Sequence, residues 1–214
     1  MSVTAVNPYL NFDGEAGEAI ALYQRALGAT VSAVMRWSDH PEAPPPGYAD
    51  RVMFACLDIG RGALMLSDAP PGMKVTAGNA NHVHVSFDDV ERLRGSFAAL
   101  AEGGTVKMPV QHMFWGATYG ELVDRFGVSW QLHCADQPAR PKPRVRTCLW
   151  FDGQGEEAAR FYVALLPNSR IETVSRPRPE GPALVVELTL NGAPYMVLNG
   201  GPQYRHSPAA SISV

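Results

Sequence analysis

The stretch FDGEAGEAIALYQRAL begins at Phe12, and a close copy, FDGQGEEAARFYVALL, begins at Phe151. The two align without a gap, matching Leu10 with Leu149, Glu18 with Glu157, Ala19 with Ala158 and Tyr23 with Tyr162. So many matches at one offset mark an internal duplication, and a duplicated chain is built from copies of one unit. Each copy opens on a short alternating strand. In the first, Leu10 and Phe12 share one face and Tyr9 and Asn11 the other. Asp13-Gly14 signals a turn. A helix follows with Ala19, Ile20, Tyr23 and Leu27 at helical spacing, and Gly28 stops it. In the later copy Ala159, Phe161, Tyr162, Leu165 and Leu166 fall on the helix, which Pro167 ends.

Three further strands follow each helix. In the first copy they are Thr30–Arg36, Arg51–Asp58 and Ala63–Ser67, with the irregular Pro-rich loop HPEAPPPGYAD between the first two. In the later copy they are Ile171–Ser175, Leu184–Leu190 and Tyr195–Asn199, with Asn191-Gly192 as a hairpin turn. A diverged unit lies between the two. It has a strand His82–Phe87, a helix capped by Asp88 or Asp89 and ended by Gly103-Gly104, then strands Val106–Pro109, Glu121–Asp124 and Ser129–Cys134. The chain therefore reads as three β-α-β-β-β modules, an α+β fold. Modules one (about 1–70) and two (about 80–135) are read as a complete domain over 1–135. DQPARPKPR, residues 136–144, is an extended Pro-rich linker, and 145–214 is a third, unpaired module ending in one extra strand, Ala210–Val214.

Charge and cysteine usage narrow the function. With 18 Lys and Arg against 21 Asp and Glu, and no basic stripe, nothing suggests nucleic acid as a partner. Cys56, Cys134 and Cys148 lack CxxC spacing and read as reduced thiols. The N-terminus lacks a signal-peptide pattern, and no apolar run is long enough to cross a bilayer. These features give the expectation of a cytoplasmic protein.

Paired β-α-β-β-β modules resemble the vicinal oxygen chelate superfamily of glyoxalases, bleomycin-resistance proteins and extradiol dioxygenases. The chain is most similar to its PhnB-like, 3-demethylubiquinone-9 3-methyltransferase-like branch. The resemblance is carried by NPYLNFDG with AIALYQRALGA, by MFWGATYGELVDRFGVSWQL, and by LWFDGQGEEAARFYVALLPNSRI with LNGGP. No glycine-rich loop after a strand offers a place for S-adenosylmethionine, which argues against methyl transfer. The resemblance implies that two modules pair into a cupped sheet, with helices on the convex side and ligand on the concave side. The strand alternation then sends Tyr9, Asn11, His82, His84, Gln131 and His133 into a cup between modules one and two. Trp115 and Tyr119 offer flat surfaces for an aromatic or natural-product-like ligand.

The resemblance also implies a divalent metal (zinc, manganese, iron or nickel) held by one residue from the first and last strand of each module. The matching positions are Tyr9, Met65, His82 and Gln131, and no carboxylate falls on any of them. His84 and His133 are further candidate ligands, and Glu121 is a candidate general base. Two functions remain open: a binding protein without chemistry, and a metal-dependent lyase, isomerase or dioxygenase using His82 and Gln131. A lone third module exposes a sheet edge. That gives the expectation of either a homodimer through the third module, with Trp150 and Tyr204 as interface aromatics, or a truncated chain.

Overall fold

In the computed structural model the described residues are 6–136 and 144–213. The linker reading falls mostly on 137–143, outside them. Three β-α-β-β-β units follow one another along the chain. Module one holds β1 (Asn7–Phe12), α1 (Ala16–Leu27), β2 (Thr30–Arg36), β3 (Val52–Ile59) and β4 (Gly62–Asp68). Module two holds β5 (Asn81–Phe87), α2 (Val90–Ala101), β6 (Thr105–Met113), β7 (Ala117–Val123) and β8 (Ser129–Ala135). Module three holds β9 (Arg144–Phe151), α3 (Gly155–Leu165), β10 (Arg170–Ser175), β11 (Val185–Leu190) and β12 (Ala193–Asn199), and β13 (Ala210–Ser213) follows.

The local chemistry explains the element ends. Gly28 adopts φ +66° and its N–H closes α1 on the Gln24 carbonyl. Asp89 caps α2 by accepting from the Arg92 N–H at 2.7 Å. β6 runs through Pro109 to Met113, four residues beyond the expected end. A proline fits there because β6 is an edge strand whose register shifts between Met108 and Gln111. His112 and Met113 therefore finish a strand, and Phe114 to Gly116 make the hairpin turn.

The strands form two sheets. One has the order β13-β1-β4-β3-β2, and the other the order β10-β11-β12-β9-β5-β8-β7-β6. This corrects the expected pairing: module two shares its sheet with module three, not with module one. The seam is antiparallel β5 on β9, with His82 opposite Cys148 and His84 opposite Arg146. The third module is thus paired within the chain. Module one meets β13 in the same manner, antiparallel along β1, with Tyr9 opposite Ser211.

Modules one and two are joined back to back instead. Their helices α1 and α2 pack together between the two sheets. Leu22, Tyr23, Leu57, Leu66, Val85, Leu93, Leu100 and Trp130 are fully buried in the shared apolar core. A smaller core under α3 contains Leu149, Val186, Leu188, Tyr195 and Val197. Strand alternation explains the arrangement: Val83, Val85 and Phe87 face α2, and the intervening His82, His84 and Ser86 face away from it, into the cup. No helix of the described residues is long and apolar enough to cross a membrane.

Candidate functional site

The concave face of the eight-stranded sheet gathers polar side chains along the β5–β9 seam. β5 contributes His82 and His84, β8 contributes Gln131 and His133, and β7 contributes Tyr119 and Glu121. From β9 come Arg146, Cys148 and Trp150, as the register requires. His82, His84 and Gln131 are only 3%, 2% and 3% exposed. Six of the expected site residues and the candidate base Glu121 therefore have the following placement: His82, His84, Tyr119, Gln131 and His133 share this face with Glu121, whereas Trp115 stands half-exposed at the β6–β7 hairpin tip, its ring 6.0 Å from Tyr119. Tyr9 and Asn11 lie on the other sheet. There Tyr9 is in register with Met65, and Asn11 accepts from the Ser67 hydroxyl and donates to the Pro208 carbonyl.

Hydrogen bonds settle the imidazole tautomers. Nε2 of His82 lies 3.0 Å from the Asn79 carbonyl, which only accepts, so Nε2 carries the proton. Nδ1 is then a lone pair, buried without a partner and 3.9 Å from Oε1 of Glu121. Burial pushes the His82 pKa down to about 4, which keeps the ring neutral. For His84 the order reverses. Arg146 Nη2 donates to its Nε2 at 3.1 Å, which places the ring proton on Nδ1. Burial first, then the Arg146 cation, hold the His84 pKa well below the usual value. Burial likewise raises the Glu121 carboxyl, whose Oε2 accepts from the Tyr119 hydroxyl at 3.3 Å.

Sequence reasoning missed Arg146. Trp150 and Tyr204, expected at an interface, also meet within the chain: their rings stack at 4.2 Å and 12°, and both adjoin His82, at 5.5 and 6.1 Å. A Cβ on Gly200 would lie 2.4 Å from both rings, so only glycine allows this close stack. Tyr204 belongs to the strap between β12 and β13. Asn79 pins that strap, its Oδ1 accepting from the Arg205 N–H at 2.7 Å and its Nδ2 donating to the Gln203 carbonyl at 3.0 Å. Beside it opens a cleft of about 680 Å³ lined by His82, Lys107, Glu121, Val123, Ser129 and Tyr204, among others. Parity along β9 puts Arg146, Cys148 and Trp150 on one face, and knowing that β9 pairs with β5 would have found all three.

The residues do not fit a divalent metal. The four expected positions divide between two sheets, Tyr9 with Met65 on one and His82 with Gln131 on the other. At the cup centre the His84 lone pair is engaged by a guanidinium, and that fixed cation opposes a second one. Cys148 is fully buried, and burial raises its thiol pKa. Among the described residues no three His, Cys, Asp or Glu side chains converge as a metal group.

Modules paired across antiparallel first strands into one sheet with helices behind define the class: a paired β-α-β-β-β protein. Two family models match, Glyoxalase/Bleomycin resistance protein/Dioxygenase superfamily over residues 5–132 and 3-demethylubiquinone-9 3-methyltransferase over 143–214. The chain belongs to the glyoxalase/bleomycin resistance protein/dioxygenase superfamily. It is 31% identical over 142 residues to protein YjdN of Escherichia coli, covering 62% of this chain and 96% of that protein. A solved Pseudomonas aeruginosa protein is 38% identical, with a TM-score of 0.55 over 59% of this chain and 94% of its own. Glyoxalase I of Zea mays, at 16% identity, shares the fold over 97% of this chain and 74% of its own, with a TM-score of 0.66.

Proposed function

We propose that the chain is a small-molecule-binding protein that holds an aromatic or natural-product-like ligand in the cup of modules two and three. One observation carries this reading. On that one sheet face, His82 Nδ1, Trp150 Nε1 and Arg146 Nε are buried polar atoms without a hydrogen-bond partner. Each such atom costs about 1–3 kcal/mol when left unpaired, so three on one sheet face, with His82 lining the cleft, suit a site whose partners arrive with a ligand. The Trp150–Tyr204 stack supplies a flat wall for a planar ring. The alternative, a metal-dependent lyase, isomerase or dioxygenase, is disfavoured by the Arg146 guanidinium on His84. A thermal-shift screen of planar aromatic compounds, run in EDTA, tests the reading. A compound present at a hundredfold over its Kd adds about 2.7 kcal/mol of stability. Val123→Trp, which fills the cleft, is expected to remove the shift. Hits that require a divalent metal, or that ignore Val123→Trp, would overturn it.

The proposal of a cytoplasmic homodimer through module three now rests on a different surface. Phe161 and Leu165 of α3 are 61% and 65% exposed, whereas their repeat counterparts Leu22 and Ala26, buried where α1 meets α2, are 0% and 7% exposed. The two α3 residues sit one turn apart on one face, and a second copy of the same face would cover them across a two-fold axis. Sedimentation is expected to show a dimer that Phe161→Glu with Leu165→Glu dissociates. A wild-type monomer at tens of micromolar would refute it.

A further inference from the structure

Resting on the cup reading above, we infer that the corner between His82 and Glu121 receives an amino group, so that the ligand is an amine. Two acceptors face each other there across 3.9 Å: Nδ1 of His82 and Oε1 of Glu121. His82 is 3% exposed and has already spent its ring proton on the Asn79 carbonyl. Glu121 takes the Tyr119 hydroxyl on its other oxygen, Oε2. Among the described residues His82 Nδ1 has no donor, and the Tyr119 hydroxyl reaches Oε2 of Glu121 and not Oε1. One heavy atom set about 2.9 Å from both would bridge them, provided it carries two hydrogens to give. An ammonium or amino nitrogen has them, as does a water, whose place a ligand's amine would take. A hydroxyl offers one hydrogen for two acceptors, and a carboxylate offers none.

The surroundings suit a cation more than a neutral donor. The carboxylate of Glu121 is one counter-charge. The Trp150 and Tyr204 rings lie 5.5 and 6.1 Å from the His82 ring, which sets aromatic surface near the corner. Ser129 and Val123 leave the corner open to the cleft, so that the rest of a ligand has room. The two cations on the cleft lining, Lys107 and Arg205, are exposed. Arg146, the other nearby cation, is held by His84 and Glu187.

Three probes with one ring and one carbon separate the possibilities: benzylamine, benzyl alcohol and benzoate, titrated into the full chain at neutral pH and followed by amide chemical shifts. Benzylamine is expected to bind at least about tenfold more tightly than the other two, a ratio set by about 1.4 kcal/mol. It should shift residues of the 77–82 and 121–129 segments. Glu121→Gln, which keeps the shape and removes the charge, is expected to weaken benzylamine at least tenfold and to leave benzyl alcohol within about twofold. His82→Leu should weaken benzylamine as well, and Glu121→Gln decides alone if that variant does not fold. Equal binding of benzylamine and benzyl alcohol in the cleft would overturn the amine assignment and leave the cup reading standing. Binding of none of the three would overturn both.

Discussion

Asp124→Ala is expected to lower stability by about 3–5 kcal/mol, the largest loss from any single polar side chain in the molecule. Asp124 is buried and accepts four hydrogen bonds. Its Oδ2 takes the Tyr23 hydroxyl and the Trp130 indole N–H, each at 2.9 Å. Its Oδ1 takes the N–H groups of Phe126 and Val128 at 2.9 and 3.0 Å. Two of these donors shape the turn between β7 and β8. The other two do more: Tyr23 is on α1 and Trp130 on β8, both 0% exposed, so one carboxylate ties module one to module two inside their shared core. Removing it strands all four donors. Asp124→Asn keeps the shape and the Oδ1 contacts but sets an NH₂ against the Trp130 N–H, while the Tyr23 hydroxyl can turn and accept, for a loss of about 2 kcal/mol. Tyr23→Phe removes one donor and should cost about 1 kcal/mol. Urea denaturation of the three variants gives the ranking. A loss below about 1 kcal/mol in Asp124→Ala would mean that water replaces the carboxylate at no cost and that the core, not this knot, joins the modules.

The sequence shows which face each strand turns to the core, and the structure agrees at His82, His84, Gln131 and His133. A period of two residues is a local property of the chain. Which strands become neighbours is not local. β1 and β9 are copies of one strand, and either could have paired with β5 by pattern alone. The choice depends on contacts far apart in sequence. It decides the site, because Arg146, Cys148 and Trp150 reach His82 and His84 only when β9 is the neighbour. Tyr9 and Met65 occupy the equivalent seam on the other sheet, beside β13. The residues read as one metal set are thus the linings of two separate seams. The missed arginine has the same origin: on a module read as unpaired, an arginine on a strand looks like a solvated side chain.

A second large effect should appear in acid. His82 has a pKa of about 4 in the folded chain against an ordinary value of 6.5, chiefly because burial disfavours its charged form. Once the pH drops below 6.5 the unfolded chain takes up a proton that the native chain refuses, so stability falls as pH falls and the loss is complete near pH 4. Over that interval the difference amounts to about 3 kcal/mol. His84 and His133 are shifted in the same direction, by burial first and the Arg146 cation second, and they add to the slope. Glu121 and Asp124 oppose it. Their pKa values are raised by burial, so the native chain binds their protons first and gains stability as pH falls through those raised values. Comparison with a His82 variant isolates the histidine effect across its own window, between about pH 6.5 and 4. There the urea midpoint of the wild type should fall with acid, and His82→Gln, which has no proton to refuse, should show a visibly shallower slope. Parallel slopes for the two proteins would mean that water reaches the His82 ring in solution. The unpartnered Nδ1 that carries the binding proposal would then be hydrated, and the proposal would lose its main support.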